Sequence, residues 1–259
     1  MKKIYITISI LTCLVWQIQA QTFSYAPKGD ISETVVRISN LFADIEVEGN
    51  LGKEITISTD TYEGIPEKAK GLKPLSASGT ENTGIGLSVV QDGNVITISG
   101  ASRKANGKYM IQLPKNIRLS IDLNNWQAGD ALIKNMSGEV EAKTQNGELR
   151  FESVTGPIVA HSLSSDIEVI FTDVNQASPT SLTSTSGDID ITIPANTKGN
   201  FQMSSISGEV FTDLNFQFEN DEDMKRIAGG MNASATLNSG GVEILLKSVS
   251  GDIFIRKSK

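Results

Sequence analysis

The chain has 259 residues, 39% of them hydrophobic and 20% charged, with 23 Gly, 7 Pro, one Cys and one His. That apolar fraction supports a packed core, which excludes disorder as the whole answer. Glycine lies far below the one-in-three of a collagen, and a single cysteine cannot build a disulfide framework.

The first element in chain order is an address. Lys2 and Lys3 precede an apolar run from Ile4 to Ile18, and Ile18-Gln19-Ala20 places a small residue before Gln21. That is the layout of a secretory signal peptide over residues 1–20. The run is short for a membrane span, which needs about 20 apolar residues. Cys13 lies inside it, followed by Leu14, Val15 and Trp16, which argues against a lipid-anchored cysteine. Cleavage before Gln21 removes two lysines and no acid. The mature chain then carries 21 basic and 30 acidic residues, a net charge of −9, and no cysteine. An exterior of that sign disfavours nucleic acid and anionic lipid as partners. No second apolar run reaches spanning length, so no transmembrane segment is expected in the mature chain.

Residues 21–126 read as a less regular β region that continues or caps the repeats C-terminal to it. Strands are expected at Thr34–Ser39, Asp44–Glu48, Glu54–Ser58, Ile85–Val90, Val95–Ser99, Tyr109–Leu113 and Arg118–Leu123. The loop from Thr61 to Gly84 holds Lys68, Lys70 and Lys73 against an acidic background. Long loops on rigid scaffolds are common binding sites, so these lysines are candidate ligand contacts. Trp126, after Asn124-Asn125, is another: it could stack on a sugar ring or close a core at a strand end.

Residues 127–259 repeat. Ala128-Gly129-Asp130-Ala131, Ser137-Gly138-Glu139-Val140, Asn146-Gly147-Glu148-Leu149, Thr155-Gly156-Pro157-Ile158 and Ser164-Ser165-Asp166-Ile167 succeed one another at nine-residue spacing. The pattern returns at Ser186-Gly187-Asp188-Ile189, Ser207-Gly208-Glu209-Val210, Ser239-Gly240-Gly241-Val242 and Ser250-Gly251-Asp252-Ile253. After each turn the residues alternate apolar, mostly polar, apolar, the period of a strand with one buried face. Gly129, Gly138, Gly147, Gly156, Gly187, Gly208 and Gly251 are read as structural turn glycines, free to take φ > 0. Identical turns at a fixed period favour a parallel β-solenoid with two-faced coils of eighteen to twenty-two residues over an antiparallel meander. One helix is expected. Asp221-Glu222-Asp223 at its start, Lys225-Arg226 at its end and Gly229-Gly230 as its stop read as a short insertion near 220–228.

These S-G-[D/E]-[I/V] units resemble a bacterial domain family of unknown function described as adhesin-like. The match is densest from Gly129 to Lys259 and includes the ending from Gly241-Val242-Glu243-Ile244 to Ser250-Gly251-Asp252-Ile253, in the form of Bacteroidetes-like members. With the N-terminal strands and Asn82-Thr83-Gly84-Ile85-Gly86-Leu87, it covers nearly the whole mature chain. The resemblance implies an exported β-solenoid and implies no reaction.

Some motifs invite a chemical reading. The acids Asp130, Glu139, Glu148, Asp166, Asp188, Glu209 and Asp252 form a ladder; with two units per coil, Asp130, Glu148 and Asp166 share one edge about 5 Å apart per coil. Such spacing resembles a glycosidase carboxylate pair, but recurrence at every turn favours each acid capping its own turn. The repeat lacks the G-G-x-G-x-D of calcium-binding rolls. His161 has no second His or any Cys to share a metal, and no G-x-S-x-G elbow supports a triad. No cofactor is expected. The sequence therefore points to a non-catalytic exported envelope or cell-surface protein, binding or structural and adhesin-like, whose partner is a surface glycan, an envelope component or a protein. The alternatives are a carbohydrate-active β-helix enzyme and a periplasmic envelope-stress accessory.

Overall fold

The computed structural model describes residues 20–64, 66–72, 75–76, 79–218, 224–227 and 229–259. Almost all of the signal-peptide assignment, residues 1–19, and Lys73 fall outside them. Among the described residues the architecture is a β-solenoid-like stack of two mostly parallel sheets, of ten and eleven strands, with a two-stranded ribbon apart.

Each coil contributes one strand to each sheet. Val140–Thr144 leads to Leu149–Val154, and Ile158–Ser162 leads to Ile167–Phe171. Equivalent residues stack in register: Ile45, Ala131, Leu149, Ile167, Ile189 and Ile253 succeed one another across the first sheet. Ala142, Ala160, Leu182, Leu246 and Met203 do so across the second. These residues are at most 2% exposed, because alternate side chains of both sheets point into one narrow core. Each such Ile, Leu or Val contributes about 1.5–3 kcal/mol by leaving water. The Ala142-to-Ala160 and Ala160-to-Leu182 steps match the coil length expected from the repeat.

Sequential stacking fails at both ends. Val242–Ser248 lies between Thr180–Ser184 and Gly199–Ser205, and Ile253–Lys257 lies between Ile189–Ile193 and Val210–Thr212. At the other end Val35–Ser39 lies between Arg118–Leu123 and Val95–Gly100, and Asp44–Asn50 between Ala131–Lys134 and Lys108–Pro114. The first and last parallel coils are thus tucked one place inward. Each of their strands gains a partner on both edges, although Val210–Thr212 still ends the ten-stranded sheet with one edge unpaired among the described residues. The outer coils are covered by antiparallel strands, Ile55–Thr59 with Gln21–Tyr25, Leu87–Asp92, and Gly230–Leu237.

The helix expected near 220–228 is corrected. Residues 219–223 lie outside the described residues, and Met224–Ile227 is a strand antiparallel to Gly230–Leu237. Gly229 stands in the hairpin turn and Gly230 opens the next strand. Local charge placement at helix ends is worth under about 1 kcal/mol, and pairing with a sheet edge outweighs it.

Candidate functional site

The corner leading from the second sheet to the first is where the repeat's polar residues gather. At its start stand buried hydroxyls, Thr144, Ser162, Ser184, Ser248 and Ser205. Each accepts the N–H three residues on: Gly147 (3.0 Å), Ser165 (3.0 Å), Gly187 (2.9 Å), Gly251 (2.9 Å) and Gly208 (2.8 Å). Three of the serines also donate to the neighbouring coil, Ser184 to the Ser165 carbonyl, Ser248 to Gly187 and Ser205 to Gly251. One hydroxyl therefore satisfies a donor in its own turn and an acceptor in the next, both of which would otherwise be buried without a partner.

The acids complete a second relay. Asp44 Oδ1 accepts from Asp130 N (3.0 Å), and Asp130 from Glu148 N (2.9 Å). Asp166 accepts from Asp188 N, Asp188 from Asp252 N and Asp252 from Glu209 N, each at 2.8 Å. The acids do cap turns, but the turn of the adjoining coil rather than their own. Glu148 sits among Asp130, Asp166 and Glu168, and burial followed by repulsion from Asp130 raises its pKa.

The expected role of the turn glycines is also revised. Gly129, Gly147, Gly187, Gly251 and Gly208 share this corner, and none has φ > 0. Their requirement is space: a Cβ on Gly147 would fall on the Gly129 carbonyl, on Gly187 on Ser165, on Gly251 on Gly187 and on Gly208 on Gly251, all closer than 3.0 Å. Gly138 and Gly156 belong to the opposite corner, and of these two glycines Gly156 alone has positive φ, at 77°. Glu139 lies there too.

The same corner is longer between Arg118–Leu123 and Ala131–Lys134. Leu123 pairs with Thr144, yet Gly129 comes six residues after Leu123 where Gly147 comes three after Thr144. The additional length carries Trp126, 73% exposed. Its loop is held from both sides. Asn125 Nδ2 donates to Leu41 O (3.4 Å) on one neighbouring coil, and Asn146 Nδ2 from the other donates to Trp126 O (3.1 Å). Two depressions flank it. One, of about 520 Å³, includes Arg37, Asp122, Asn124, Asn125, Glu141 and Lys143. The other, of about 500 Å³, is lined by Phe42, Arg103, Asn106 and Gln127. Glu141 bonds Lys143 at 2.7 Å, which raises the ammonium's pKa.

Of the residues singled out from sequence, Trp126 is therefore at a polar surface and not in a core. Lys68 lies within the short 3-10 turn Glu67–Ala69 and Lys70 follows it, both exposed, with Lys70 3.7 Å from Glu67. Nothing brings these lysines to Trp126. His161 is exposed on the second sheet between Lys143 and Thr183, with no hydrogen bond to a serine or carboxylate among the described residues. Among the described residues no group of three His, Cys, Asp or Glu is placed to hold a metal, and no helix is long and apolar enough to cross a membrane. Arg37, Phe42, Arg103, Asp122, Glu141 and Lys143 were not singled out from sequence. The signal available was the three-residue lengthening before Gly129.

The Toastrack DUF4097 family matches residues 121–256, just over half of the chain. No curated protein matches. A solved structure from Clostridium sporogenes, described as a candidate cell adhesion protein, is 11% identical with a TM-score of 0.44 over 93% of this chain and 100% of that one. Two others, described as candidate adhesins from Bacteroides fragilis and Parabacteroides merdae, are each 12% identical, over 93% of this chain and 97% of theirs, with TM-scores of 0.32 and 0.27.

Proposed function

The chain belongs to the Toastrack DUF4097 family, and from that premise we propose that it is an exported, non-catalytic binding protein of the bacterial envelope whose partner is a surface glycan held at the Trp126 corner. One observation carries this reading: a solvent-exposed tryptophan stands on a loop pinned by both neighbouring coils, and its chain neighbours line two depressions, Asn124 and Asn125 the first and Gln127 the second. An aromatic face flanked by amides, carboxylates and guanidiniums suits sugar rings, which are apolar on one face and rich in hydroxyls at the edge. A pinned loop loses little freedom on binding. The acids of the ladder support the non-catalytic part. Asp130, Asp166, Asp188 and Asp252 each spend a carboxylate oxygen on a backbone N–H, and they recur along the stack in place of one distinct pair. Export rests on the charged-then-apolar N-terminal pattern.

The test is binding of the mature protein to an immobilised panel of envelope polysaccharides, with Trp126→Ala alongside. The reading expects binding that the substitution removes while the thermal midpoint holds. Equal binding by both proteins, or none by the wild type, would overturn it. Protease shaving of intact cells then distinguishes a surface from a periplasmic position.

A further inference from the structure

We infer that the glycan bound at the Trp126 corner is an acidic one, a chain carrying carboxylates read by Arg37 and Arg103; this rests on the reading above. The chain has six arginines, five of them with described side chains. Three are engaged. Arg256 forks onto Asp190 with contacts of 2.8–2.9 Å, Arg150 pairs with Glu152 and Glu168, and Arg118 donates to the Glu33 carbonyl. Arg37 and Arg103 have no ion-pair or hydrogen-bond partner among the described residues. Those two fall one in each depression that the Trp126 loop helps to line, Arg37 with Asn124 and Asn125 and Arg103 with Gln127.

Among the described lysines pairing is mixed, since Lys104, Lys108, Lys134 and Lys143 find a carboxylate and Lys28, Lys53, Lys115, Lys198 and Lys247 do not; among the described arginines, the two without a partner are the two that line these depressions. An unpaired guanidinium is a planar fork of donors suited to a carboxylate. Of the two acids in the same depression as Arg37, Glu141 is taken by Lys143, and Asp122 accepts the Asn124 N–H (3.2 Å) and has no ion pair among the described residues. The protein's overall charge does not forbid an anionic ligand here. Residues 21–126 carry 11 basic and 12 acidic residues, whereas residues 127–259 carry 10 and 18. Most of the negative charge therefore lies in the C-terminal part of the chain, and fields from exposed charges fade within about 10 Å at ordinary salt. Two forks in two depressions lined by one loop suit a chain that crosses the corner, with acidic sugars in both depressions, over a single terminal sugar.

The experiment compares oligogalacturonate with a neutral galactan oligomer of the same length, and with polyglutamate, by calorimetry on the mature protein at fixed salt. Wild type is expected to bind the uronate chain about tenfold or more tightly than the neutral one, the scale of a charge-assisted bidentate contact. Arg37→Ala and Arg103→Ala should each remove most of that preference while leaving weak neutral binding and the melting point intact. Arg37→Lys should recover the charge but only part of the preference. Equal affinity for uronate and neutral chains, with Trp126→Ala abolishing both, would overturn this inference and leave the glycan reading standing. Polyglutamate binding as well as the uronate chain would also overturn it, showing attraction to charge alone. Absence of binding to either sugar chain would sink both.

Discussion

One corner of the coil exists in two forms. In the coils from Thr144 onward it is four residues long, built on Ser or Thr, Gly and Asp or Glu, and its polar groups are consumed by hydrogen bonds within and between coils. In the N-terminal coils the loops at 40–43, 101–107 and 124–130 depart from that form, and two depressions open between them. In the regular corner the hydroxyls of Ser184, Ser248 and Ser205 and one oxygen each of Asp166, Asp188 and Asp252 are spent on backbone groups. The irregular one leaves an indole exposed and two guanidiniums unpaired. In a stack of near-identical coils, repetition therefore marks what holds the coils together, and a break in the repetition marks where a partner can be read.

The largest effect expected is at the glycines. Gly187→Ala puts a methyl against the Ser165 carbonyl, and since backbone cannot swing aside as a side chain can, it should cost about 3 kcal/mol. In thermal melts that is a drop of about 6–12 °C for a chain of this size. Gly93→Ala is the contrast: φ is 56° but a Cβ meets nothing within 4 Å, so only the backbone penalty of about 1 kcal/mol remains. Equal effects at the two sites would mean that coil contact is not what the repeat glycine serves.

Ser248→Ala comes next. It strands the Gly251 N–H and the Gly187 carbonyl in a buried corner, at about 1–3 kcal/mol by chemical denaturation. Asp188→Ala should cost about 1 kcal/mol and Asp188→Asn less, because the amide oxygen can still accept from Asp252 N. If Asn proved as damaging as Ala, charge rather than acceptance would be the ladder's contribution.

The smallest effect concerns Glu148. Its pKa is raised in the folded state, so its ionisation opposes folding: stability is fully present below the unfolded-state value and falls as pH rises through the folded one. Glu148→Gln should therefore raise the thermal midpoint slightly at pH 7 and leave it unchanged at pH 3. No gain at pH 7 would show that the neighbouring acids do not repel it.

The regular part of the molecule was legible because nine-residue spacing fixes both strand and turn, and a buried face shows as alternation. The pairings of Ala142 with Ala160, Thr144 with Ser162 and Leu149 with Ile167 can be read from it directly. Three things were hidden. The hydroxyl relay lies three residues before each glycine, at a strand end where Ser and Thr read as ordinary outward residues. The inward tucking of Val35–Ser39 and Val242–Ser248 depends on which coil pairs with which, and the local pattern is the same in either order. The strand at Met224–Ile227 was masked by charges that mimic helix ends. At the candidate site, Trp126 could be picked out by its chemistry. Arg37 and Arg103 could not, because each lies away from it in sequence and comes beside its loop only through the stacking of coils.

The central claim, that regular corners carry the fold and the lengthened corner carries the ligand, is tested most directly by measuring melting and uronate binding together for Gly187→Ala and Trp126→Ala. The account predicts a double dissociation. Gly187→Ala lowers the midpoint by several degrees and, below that midpoint, keeps its affinity, whereas Trp126→Ala keeps its midpoint within about 1 °C and loses binding. A Trp126→Ala protein that melts as early as Gly187→Ala, or that binds as well as wild type, would contradict it.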